Sequence, residues 1–146
     1  MTSIRRLLED ALELPPSAAD WLSILWECIQ TFDDYADGDE VTRKELDKLI
    51  WNTLVALPCH PFFLAHPQSL GTALSTAILK WQASDRAERD GWASAQSFSW
   101  RASYYDVVLV ALNLCYGPDV AHAKAHVVMG LYGESLEDYL KEFEHA

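Results

Sequence analysis

Apolar residues recur along most of this chain at intervals of three and four, the spacing of a helix with one buried face. No two alternating runs are joined by a hairpin turn. The pattern predicts an all-α protein, a compact bundle of four long helices with shorter peripheral helices, in one domain over residues 1–146. A short helix is expected from Ile4 to Leu14, stopped by Pro15-Pro16. A second runs from Ser17 to Ala36, with Gly38 placed to follow its last turn. The third starts at Thr42, where Thr42-Arg43-Lys44-Glu45 reads as a capping box, and ends before Pro58. Residues Leu57 to Pro67 carry Pro58, Pro61 and Pro67 and read as an irregular crossing. A fourth helix is expected from Gln68 to Arg89, and a fifth from Ala95 to Tyr116, closed by Gly117-Pro118. Two shorter ones follow, Asp119 to Leu131 and Ser135 to Phe143.

Carboxylates interrupt the faces that should be buried. On the second helix Trp21, Leu25, Cys28, Phe32 and Tyr35 form the expected apolar stripe, Asp33 falls beside its edge and Asp37 a little further round. Both sit at a helix C-terminus, where the helix dipole disfavours negative charge. On the fourth helix Leu70, Leu74, Ala77, Ile78 and Trp81 mark the apolar face, and the same face projects onward onto Asp85 and Glu88. Arg86 and Arg89 flank them. On the fifth, Asp106 is the sole charged residue between Arg101 and Asp119, in a stretch apolar nearly all round. A buried carboxylate there needs a metal ion, an arginine or several hydrogen-bond donors; Arg101 or a network with Tyr105 is the structural alternative to a metal. Hard oxygen ligands from three helices would suit Mg²⁺ or Mn²⁺. Asp33, Asp37, Asp85, Glu88 and Asp106 are then the candidate metal ligands, and Arg86, Arg89 and Arg101 the candidate phosphate contacts.

Asp33-Asp34-Tyr35-Ala36-Asp37 is a DDxxD pattern near a helix end and resembles the first aspartate-rich motif of class I terpenoid and isoprenoid-diphosphate synthases. That resemblance implies Mg²⁺ carrying a substrate diphosphate. Ser84 and Glu88 have the spacing of the family's second metal motif, with Lys80 where that motif has Asn or Asp. Asp85-x-x-Glu88 followed by Ser103-x-x-Asp106 resembles the paired ExxE and ExxD helices of all-α nucleoside-triphosphate pyrophosphohydrolases, with the first pair altered in one residue and the second lacking its glutamate. Asp33 to Glu40, with Leu57-Pro58 and His60-Pro61-Phe62, also resembles short proteins of phage and bacterial genomes. An EF-hand over Asp33 to Lys44 fails, because Tyr35 takes the third loop position and Lys44 stands where a bidentate glutamate is required.

The formal charge of -11 bears on partners. It argues against nucleic acid and anionic lipid and leaves metal ions, a phosphorylated small molecule carried by them, or a basic protein partner. Cys28, Cys59 and Cys115 form no CxxC pair and sit in apolar settings, which fits reduced thiols and a cytoplasmic location. The opening Met-Thr-Ser-Ile-Arg-Arg lacks a signal peptide's apolar run, and no segment reads as membrane-spanning, so the chain is expected to be soluble. His122 and His126 lie one turn apart but without the glutamate of a zinc-protease helix, and read as a solvated face; His60 reads as a loop cap. Two functions are therefore expected: Mg²⁺- or Mn²⁺-dependent binding or hydrolysis of a diphosphate-containing ligand, or a non-catalytic helical interaction module with an acidic surface. Tyr132-Gly133 and the last helix suggest packing or a homodimer contact.

Overall fold

A computed structural model describes residues 3–144 and, among them, contains helices and no strands. Met1 and Thr2 of the opening stretch lie outside the described residues. Among the described residues no helix is long and apolar enough to cross a membrane. The chain divides into two compact units, residues 1–67 and 68–146.

The first unit is built on α2 (Pro16–Ala36). Pro16 opens it at a position where the missing N–H costs nothing, and Gly38, at φ 80°, turns the chain out after its last turn. Ala18, Ala19, Trp21, Leu22, Leu25 and Cys28 are buried along it. The stripe ends there: Phe32 and Tyr35, expected inside, are exposed, so the last two turns of α2 run out beyond the core. α1 (Ile4–Asp10) is capped by the Ser3 hydroxyl and packs on α2 through Leu8. It stops before the two prolines, because Glu13 adopts a left-handed conformation at φ 54° and the Leu14 N–H returns to the Leu8 carbonyl at 3.2 Å. α3 (Arg43–Trp51) starts at Thr42, whose hydroxyl accepts the Glu45 N–H. It then widens into a π-helical turn, Asn52–Ala56. Pro58 has no N–H and its ring would meet the carbonyl four residues back, so an α-helix cannot run through it. The wider turn closes with the Leu57 N–H on the Asn52 carbonyl at 2.9 Å, and the Leu57 carbonyl accepts the Trp21 indole N–H at 3.1 Å.

The segment expected to be irregular holds a short helix, α4 (Pro61–Ala65). His60 Nδ1 accepts the Phe62 N–H and Pro61 supplies the first helical φ, so the loop cap expected at His60 starts a helix. Phe62 and Phe63 pack on Trp21 with ring centroids 5.9 and 6.1 Å apart.

The second unit opens with α5 (Pro67–Arg89). Its buried residues are Leu70, Ala77 and Ser84, spaced by seven, and Ile78 lies outside that line and is exposed. The expected fifth helix is two: α6 (Ala95–Trp100) and α7 (Tyr104–Tyr116), separated by a turn at residues 101–103. Serines bond at the start of α6 and at the break after it. Ser94 and Ser97 form a reciprocal cap at the start of α6, and Ser103 sends its hydroxyl to the Ala77 carbonyl at 2.7 Å, a bond outside its own helix. α7 packs on α8 (Pro118–Met129), and α9 (Leu136–Phe143) returns onto α6.

Candidate functional site

The carboxylates singled out by periodicity fall in different surroundings. Asp33 and Asp37 stand on the last turn of α2 and its C-cap in the first unit, Asp33 half-buried and Asp37 exposed. In the second unit each acidic group meets its own cation. Asp85 accepts from Arg89 one turn on, at 3.0 Å. Asp106 pairs with Lys80 at 2.6 Å across α5 and α7, so the partner expected in Arg101 is instead a lysine. Arg86 pairs with Asp90 at 2.7 Å on the surface. Among the described residues no group of three or more His, Cys, Asp or Glu is arranged to hold a metal ion.

Glu88 and Arg101 form the most buried ion pair described, Oε2 to Nη1 at 3.2 Å, with side chains only 14% and 15% exposed. Glu88 also accepts the Tyr139 hydroxyl at 2.7 Å, and that hydroxyl lies 2.7 Å from Ser97 Oγ. Arg101 sits over the Tyr139 ring at 5.3 Å and reaches Glu134 at 3.9 Å, while Glu134 accepts the Tyr132 hydroxyl at 2.8 Å. Phe98, Tyr132 and Tyr139 pack around this group. Burial, then the hydroxyl's bond to Glu88, pushes Tyr139 up to about 12, although its bond to Ser97 pulls the other way. This is a fastening for α6 and α9: the arginine's donors point at carboxylates of its own fold. Arg101, a candidate phosphate contact, and Glu88, a candidate metal ligand, here meet each other. Sequence periodicity placed Glu88 on the inner face; nothing in one sequence named Arg101 and Tyr139 as its partners.

A second cluster lies in the first unit. Asp20 receives Arg5 at 2.7 Å and His60 Nε2 at 2.8 Å. The His60 ring N–H, and after it Arg5, hold the Asp20 carboxyl below its ordinary value against the opposing effect of burial. Because His60 Nδ1 accepts the Phe62 N–H, that nitrogen carries no proton and Nε2 is the donor to Asp20. Both ring nitrogens are used, which leaves none to act on a substrate. The pair resembles the base and orienter of a hydrolase only in residue type.

The feature sequence reasoning missed is α3 with its π turn. No residue of α3 is buried. Leu46, Ile50 and Leu54 recur every four residues, and with Trp51 they are between 42% and 70% exposed. At about 100° per residue the line of Leu46, Ile50 and Leu54 lies roughly opposite Asn52, which is buried, with half-buried Leu49 and Val55 on the flanks of the inner side. The helix thus divides its apolar side chains: Leu49 and Val55 accompany the buried Asn52 amide, while Leu46, Ile50, Trp51 and Leu54 turn outward. Lys48 ties it to α2 through Glu27 at 3.2 Å. The available signal was the amphipathic spacing itself, which does not state which side faces the core.

Comparison of the chain with protein families, characterised proteins and solved structures finds no match.

Proposed function

We propose that this chain is a non-catalytic helical interaction module that binds another protein through the outward face of α3 and its π turn. The observation that carries this reading is the outward apolar strip on that helix: Leu46, Ile50, Trp51 and Leu54 face water while Asn52 is buried. Leaving four large side chains 42–70% exposed forgoes about 1 kcal/mol each of burial, a cost that a binding surface recovers on association. A π turn within a helix is a frequent companion of a functional surface. The ion pairs of Asp85, Glu88 and Asp106 support the same reading, because these carboxylates neutralise cations of the fold.

The test is photo-crosslinking in cells that produce the chain, with a benzophenone amino acid at Leu54 and, as control, at exposed Thr72 on α5. A discrete adduct formed from position 54 and absent from position 72 is expected. Identical patterns from both positions would remove the reading. Thermal melting with MgCl₂ or MnCl₂ addresses the diphosphate alternative: the interaction reading expects an unchanged midpoint. A rise abolished by Asp85→Asn with Asp106→Asn would favour a metal-dependent function instead.

A further inference from the structure

Charge around the α3 strip distinguishes among occupants. Residues 33–40, which lead from the last turn of α2 towards α3, contain Asp33, Asp34, Asp37, Asp39 and Glu40 and no cation. The first unit holds twelve acidic against five basic residues. Of the three cations on α3, Arg43 is paired with Asp47 at 3.1 Å and Lys48 with Glu27 at 3.2 Å, so local carboxylates already offset all but Lys44. The apolar strip therefore begins beside a negative segment. A second copy of the chain would set one net-negative unit against another, and an anionic lipid or nucleic acid would be repelled in the same way.

The strip also has a shape. Leu46, Ile50 and Leu54 form a ridge of the every-fourth-residue kind, which packs into the matching groove between side chains of another helix. α3 and the π turn together give fourteen residues, about 20 Å of contact length.

We infer that the occupant of the α3 strip is a basic amphipathic helix of a partner protein, packed along Leu46, Ile50, Trp51 and Leu54 with its Lys and Arg residues towards Asp34, Asp39 and Glu40. The inference rests on the interaction reading above and adds the partner's fold and charge. It follows the rule that complementary charge sets encounter rate and selectivity while the buried apolar anchors supply most of the affinity.

The test uses the whole chain and a labelled synthetic helical peptide of about 18 residues, Leu on one face and Lys on the other, followed by fluorescence anisotropy. Its counterpart carries Glu in place of Lys. Saturable binding of the Lys peptide is expected, with no binding of the Glu peptide. Ile50→Asp with Leu54→Asp should weaken binding at least about tenfold while circular dichroism stays unchanged, since Leu54 is 70% and Ile50 47% exposed. Asp34→Asn, Asp39→Asn and Glu40→Gln together, or salt raised from about 0.05 to 0.5 M, should weaken it several-fold. If the double Asp variant loses its fold, Leu54→Ser, at the most exposed of the three ridge positions, takes its place. The basic assignment is overturned, with the interaction reading intact, if Leu54 crosslinks in cells and the two peptides bind alike. Undiminished Lys-peptide binding by the strip variants overturns the docking site. A dimer of the chain that these variants convert to monomer makes a second copy the occupant and also overturns the assignment.

Discussion

Replacing Arg101 with methionine removes the cation from the Glu88–Glu134–Tyr139 group and keeps most of the apolar stem. Deleting one partner of a buried pair costs about 3–5 kcal/mol when the surviving charge is left uncompensated. Glu88 would still accept the Tyr139 hydroxyl, and the two charged side chains are 14% and 15% exposed, so the lower end applies, about 3 kcal/mol. Glu88→Gln should cost less, about 1.5 kcal/mol, because the amide oxygen can still accept from Tyr139 and Arg101 retains Glu134 at 3.9 Å. Independent effects would sum to about 4.5 kcal/mol. The double variant removes both charges together and should lie near about 3 kcal/mol, a coupling of about 1.5 kcal/mol. The assay is urea unfolding followed by near-ultraviolet circular dichroism of tyrosine, which weights the second unit because it contains Tyr104, Tyr105, Tyr116, Tyr132 and Tyr139. With a slope of about 2 kcal/mol per molar urea, Arg101→Met lowers the midpoint by about 1.5 M. Strict additivity of the two substitutions, or a midpoint drop for Arg101→Met below about 0.3 M, would refute the view of this group as one fastening.

Glu13→Gly should stabilise the chain by about 0.5–1 kcal/mol, since glycine takes the left-handed conformation without the side-chain clash; a lowered melting temperature would contradict this. The Asp20 carboxyl titrates below its ordinary value in the folded chain, so its contribution is present above about pH 4 and is lost as pH falls through that depressed value; Asp20→Asn should flatten the acid limb of stability against pH. Tyr139 titrates near 12 when folded and near 10 when unfolded, so its contribution is complete below pH 10 and is lost as pH rises towards 12, and Tyr139→Phe should reduce that alkaline loss. Burial pushes the Cys28 thiol up to about 11 and raises Cys115, whereas Cys59 is exposed; Ellman's reagent at about pH 8 should label Cys59 first and Cys28 only on unfolding.

The long helices were legible because their ends carry local chemistry. Pro16 and Gly38 bracket α2, and Gly91, at φ 80°, follows α5, each within a residue or two of the expected boundary. The breaks were not legible, because they depend on contacts distant in sequence. Ser103 leaves the helical pattern to reach Ala77, and the Leu57 carbonyl is held by Trp21. The inner location of Glu88 followed from periodicity, but its neutralisation by Arg101 is a tertiary fact. Asp106 shows the same limit: a lone charge in an apolar helix signalled that a partner must exist, and only the packing of α5 on α7 identifies Lys80. For α3, spacing gives an apolar side and a polar side equally well whichever one is inward. The exposure of Phe32 and Tyr35 has the same origin, since a stripe continues in sequence after the core beneath it has ended.

The π turn at Asn52–Ala56 has a consequence for how this surface tolerates insertions and deletions. A π turn is an α-helix that has taken in one additional residue, so excising any one residue there would tend to restore ordinary winding. Because the wider turn absorbs that residue within a single turn, the chain downstream would keep its direction, whereas a deletion in the α-helical part of α3 would rotate everything after it by about 100°. The Leu57 carbonyl would then stay within reach of the Trp21 indole when the residue is lost from the π turn. A lost codon in the π turn should thus be milder than one a few residues earlier, where the same loss would turn the outward side chains away from their present direction.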